Sequence, residues 1–176
     1  MKISRSLTFT GIALLLAGLV ILGAETIGIR TAKFLVPTLF ILGGASSIQS
    51  SMPFSEANTF EKYHLFQGVG FIVFGLIFAL YARSLDDFLS HSTYFILIFG
   101  MIEIILSFAI VNLGINFKWG NLIPRFISGF LGLIGGVLIL ATSATDQMSG
   151  LTIVGVFTST IGLGITFFSL KTNTNN

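Results

Sequence analysis

Six runs of apolar residues, near 7–24, 34–50, 65–82, 94–111, 126–142 and 151–170, follow one another along the 176-residue chain. Crossing the hydrocarbon core of a bilayer as a helix takes roughly 17 to 25 such residues, and each run meets that length. No soluble fold accommodates them all. Nine basic and seven acidic side chains, 9% of the chain, against about 25% in an ordinary soluble domain, cannot coat a globule of this size. The mean hydropathy of +0.96 expresses the same balance. In lipid every backbone polar group must be satisfied within the protein, which leaves helices or closed barrels, and continuous runs of this length are helical. The expected fold is all-α: a polytopic membrane protein with six transmembrane helices in a single integral membrane domain, residues 1–176, ending in a disordered tail "KTNTNN" at 171–176.

In the second run Pro37 falls near the expected start, and the first turn of a helix is where a missing N–H is harmless. The opening "MKISR" followed by "LTFTGIALLLAGLVILG" imitates a secretory leader, but at the candidate cleavage site around Leu22 and Ala24 a bulky residue stands where a small one is needed. The segment is expected to stay as the first span. The absence of Cys removes disulfides, thiol catalysis and thiolate metal sites. The pI of about 9.2 reflects a net charge of only +2, too little for a nucleic-acid surface.

Basic residues in the loops set the orientation. Lys2, Arg5, Lys62, Lys118, Arg125 and Lys171 fall on one side, and Arg30, Lys33 and Arg83 on the other. Both termini are thus expected on the cytoplasmic side of the cytoplasmic (inner) membrane. Tyr63, Tyr81, Tyr94 and Trp119 fall at span ends, where amphipathic rings favour the interface.

Three segments share a glycine pattern: "GIALLLAGLVIL" from Gly11, "GVGFIVFGLIFA" from Gly68 and "GFLGLIGGVLIL" from Gly129. In each, a second glycine follows seven positions on, at Gly18, Gly75 and Gly136, and a third stands about twenty-five positions further, at Gly43, Gly100 and, one position late, Gly162. Such a period signals repeated supersecondary units. Here each unit is a helical hairpin, about 7–50, 65–111 and 126–170. Two spans per unit bring all three hairpins into the membrane the same way, as parallel repeats. Inverted repeats would need an odd number. Seven residues are about two helical turns, so each glycine pair lies on one face, where small residues let backbones approach. Gly132 and Gly136 add a GxxxG spacing. These ten glycines are the expected helix-packing residues.

Three hairpins marked by glycines at these spacings, over residues 8–170, resemble the HdeD-like family of small bacterial membrane proteins. The resemblance implies a role in acid resistance. It brings no catalytic residue with it. One departure stands out: the family often has a proline in the turn within each hairpin, whereas "AETIGIRTAK", "RSLDDFLSHST" and "SATDQMSG" have none, and Pro53 and Pro124 fall between hairpins.

Within "YFILIFGMIEIILSFAIV" one carboxylic acid, Glu103, stands almost at mid-span. A charge there costs about 2.5 to 3.5 kcal/mol on insertion scales, so an ionisable residue inside a membrane points by default to function. Glu103 is the proton-binding candidate, facing a polar crevice lined by Ser46, Ser47, Gln49 and Ser107. The alternative is a neutral acid that sets helix register through hydrogen bonds. His64 and His91 are too far apart in the expected topology to share a metal, and Asp86, Asp87 and His91 read as a solvated turn beside Arg83. No catalytic constellation, metal site or cofactor is expected. The expected function is a non-enzymatic membrane component of an acid or other stress response, with the lipid bilayer as solvent and a second copy or another membrane protein as partner. A small proton-linked transporter or channel using Glu103 is the alternative.

Overall fold

The computed structural model describes residues 2–52, 59–112, 119–143 and 146–174. Helix is the regular structure throughout these residues: α1 (Lys2–Leu22), α2 (Ala24–Ile27), α3 (Ile29–Ser50), α4 (Thr59–Tyr81), α5 (Leu85–Asn112), α6 (Trp119–Ser143) and α7 (Gln147–Thr174). In α1, α3, α4, α5 and α7 an apolar stretch is long enough to cross a membrane. The apolar part of α6, Phe126–Thr142, is shorter, but the whole helix has 25 residues, about 37 Å at the usual rise. The protein is a helical membrane protein.

The helices overrun the apolar runs because backbone hydrogen bonding continues into the polar ends. α3 begins at Ile29, so Pro37 stands inside it rather than in its first turn. A proline there leaves a carbonyl without its N–H, a defect that membrane helices tolerate where neighbours pack closely, and Pro37 is buried. The expected turn "RSLDDFLSHST" is largely the first part of α5. Asp86 and Asp87 occupy its first turn, where negative charge complements the helix dipole, and the Asp87 carbonyl lies 2.5 Å from His91 Nδ1. α6 starts at Trp119, so Pro124 falls within a helix and not between two of them. α7 continues to Thr174, into the segment expected to be a disordered tail. Between α1 and α3 the chain turns through α2 and Gly28, whose φ of 85° suits only glycine without strain.

The chain divides into two compact units, Met1–Leu85 with Gly155–Asn176, and Asp86–Val154. In the first, α3 packs against both α1 and α4. Its core holds Leu14, Ile21, Val36, Phe40, Phe71 and Phe78. Phe40 meets Phe71 and Phe74 edge-on, with ring centroids 5.9 and 5.0 Å away. In the second unit Leu89, Ile96, Leu122, Ile139, Leu151 and Val154 are buried. Large apolar side chains point outward instead: Phe34, Phe66, Phe130, Val137 and Phe167 are all exposed. Large apolar side chains left on the outside suit helices surrounded by lipid tails as apolar as Leu.

Candidate functional site

The glycine pairs sit where helices touch. A Cβ on Gly11 would lie 2.8 Å from the Gly162 carbonyl oxygen, and one on Gly18 2.7 Å from that of Gly155, so α1 meets α7. A Cβ on Gly68 would lie 2.6 Å from the Gly44 carbonyl oxygen, and one on Gly75 3.0 Å from that of Pro37, so α4 meets α3. In the second unit, a Cβ on Gly100 would lie 2.7 Å from the Gly129 carbonyl oxygen, and one on Gly136 2.5 Å from Leu97 Cγ, joining α5 to α6. Separations below 3.0 Å are closed to any real Cβ, so at most of these positions only glycine allows the approach.

Each pair belongs to the odd-numbered span of an expected hairpin, and each meets the even-numbered span of the hairpin before it, the first meeting the last. Gly132 is buried on the same side of α6, its carbonyl carbon 3.2 Å from where a Gly100 Cβ would stand. Gly43 differs from the expectation in detail. It faces Ala13 and Thr10 of α1, and the neighbouring Gly44 occupies the close approach to α4. A spacing of twenty-six after the second glycine, which fits Gly44 and Gly162 alike, would have found it.

Several hydroxyl groups of the first unit serve contacts between helices. Ser46 Oγ donates to the Ser6 carbonyl at 2.7 Å, and Ser6 Oγ donates back to the Ser46 carbonyl. Thr10 Oγ1 donates to the Gly43 carbonyl at 3.0 Å. Ser47, fully buried, donates to the His64 carbonyl at 2.8 Å. Thr8 and Ser169 hydroxyls lie 2.6 Å apart, tying α1 to α7. Of the expected crevice residues, Ser46 and Ser47 therefore bind neighbouring helices within this unit, and Gln49 is exposed. Ser6, Thr8, Thr10 and Ser169 are polar partners that hydropathy alone does not separate from other hydroxyls.

Glu103 and Ser107 belong to α5 in the second unit. Each is 2% exposed, and one helical turn separates them on a common face. The Glu103 Cβ lies 2.9 Å from the position of a Cβ on Gly129, so the acid is pressed against the glycine face of α6. Glu103 makes polar interactions of its own. Ser107 Oγ is buried and makes no hydrogen bond among the described residues. Among those residues, no three His, Asp or Glu side chains gather as a metal site would require. No protein-family model, curated protein or solved structure matches this chain.

Proposed function

We propose that the protein is a non-enzymatic helical component of the cytoplasmic membrane, with both termini cytoplasmic, built from three hairpin repeats of the HdeD-like kind. It acts in an acid or other stress response through helix packing and association with a second copy or another membrane protein. The observation that carries this reading is the use of buried and half-buried hydroxyls: Ser46, Ser47, Thr8 and Thr10 all bond neighbouring helices. Glycine approaches and hydroxyl bonds are what holds helices together where apolar burial supplies no drive. Acid challenge of cells lacking the gene tests it. Survival is expected to fall, and to return with the wild-type gene but not with Gly68→Val; equal survival of all strains would sink the acid role.

A second reading makes the protein a small proton-linked transporter or channel with Glu103 as the proton carrier. It is favoured by the burial of that acid beside Ser107. In liposomes the purified protein would pass protons, and Glu103→Gln would stop the flow. No flux from folded wild-type protein rejects this reading.

A further inference from the structure

In a helix, a Ser or Thr hydroxyl commonly bonds the carbonyl four residues back. Thr38, Thr93, Thr142, Thr160 and Thr166 each do so here. Ser107 does not, although the carbonyl available to it at that spacing is that of Glu103. Ser107 is 2% exposed and its hydroxyl oxygen is buried, out of reach of bulk solvent. A buried hydroxyl left unsatisfied costs about 1–3 kcal/mol, and an ordered water is the usual remedy where a second polar group stands near. The carboxyl of Glu103, one turn away on the same face, is such a group. The charged residue of α6 nearest in sequence to Gly129 is Arg125, four positions earlier.

We propose that Ser107 and Glu103 together hold one buried water molecule on the α5 face that packs against Gly129. Ser107 Oγ–H donates to the water, and the water donates to a carboxyl oxygen of Glu103. The water connects the acid to the Ser107 hydroxyl, a proton donor and acceptor inside the helix pair. The inference rests on the second reading for its purpose, proton exchange, and on Ser107 for its place.

The test is infrared spectroscopy of the full-length protein in nanodiscs, for wild type, Ser107→Ala, Glu103→Gln and Arg125→Ala, each checked for helicity by circular dichroism. The carboxyl C=O band that Glu103→Gln removes is assigned to Glu103. Ser107→Ala is expected to shift that band and to abolish an O–H stretch sensitive to exchange into H2(18)O. If Glu103→Gln does not fold, Glu103→Asp locates the band by displacement. A Glu103 band unmoved by Ser107→Ala overturns the proposal, as does the absence of any isotope-sensitive stretch. A band shifted by Arg125→Ala alone also overturns it, assigning the contact to α6. Proton flux in liposomes is measured separately: a held water without flux rejects the transport reading only, and flux without a held water rejects this inference only.

Discussion

Gly68 and Gly70 are two positions apart on α4, and their surroundings differ completely. A Cβ on Gly68 would collide with the Gly44 carbonyl at 2.6 Å, whereas one on Gly70 would meet nothing within 4 Å. Gly68→Ala should therefore cost about 1–3 kcal/mol, the range for overpacking a tight contact, and Gly70→Ala should stay within about 0.5 kcal/mol of wild type. Thermal unfolding in detergent reads the difference, and equal losses at the two positions would contradict the close approach. Ser47 supplies a smaller effect. Losing its bond to the His64 carbonyl should destabilise Ser47→Ala by about 0.6 kcal/mol, the average for hydrogen bonds between membrane helices. At this scale the sequence is informative about Gly68, because its spacing to Gly75 recurs twice. It is silent about Ser47, because one serine among several in "GGASSIQS" carries no mark of the carbonyl it will meet.

At the scale of the element, α1 has two distinct working faces. Ser6 and Thr10 bond α3, while Gly11 and Gly18 admit α7. Thr8 reaches Ser169 of α7 across the same side as the glycines. Because the chain has no native Cys, paired substitutions report each face without background. Thr8→Cys with Ser169→Cys and Ser6→Cys with Ser46→Cys are both expected to cross-link under mild oxidation. Adding Gly11→Leu and Gly18→Leu should abolish the first cross-link and spare the second. Loss of both would mean that α1 packs as a unit rather than by independent faces. The apolar run from residue 7 to 24 predicted this helix well, since membrane length and hydropathy are local properties. Its choice of α7 over α3 for the glycine face was not legible, because Gly11 and Gly18 fit against any helix that brings a small residue level with them.

For the whole molecule, the expected orientation rests on the distribution of Lys and Arg, and single-cysteine labelling decides it. Ser50 is buried, so a cysteine there would report packing rather than sidedness. Exposed Met52 replaces it as the probe. Met52→Cys is expected to label from the cytoplasmic side, and Ser90→Cys and Ser149→Cys, both exposed, from the opposite side. Labelling of all three from one side would overturn the six-span topology. The sequence alone determined the solvent, the helical class and the presence of close-packing glycines. Each follows from composition and spacing along the chain: too few charges for water, runs matched to the bilayer, and small residues two turns apart. Only the tertiary structure decided that the Gly11 pair meets α7, that Gly44 rather than Gly43 faces α4, and that Ser46 bonds α1 while Glu103 rests on Gly129. Those outcomes depend on which two surfaces come within a few ångströms, and lipid, which is as apolar as the helices it surrounds, leaves that choice to the fit of backbones and hydroxyl groups in three dimensions.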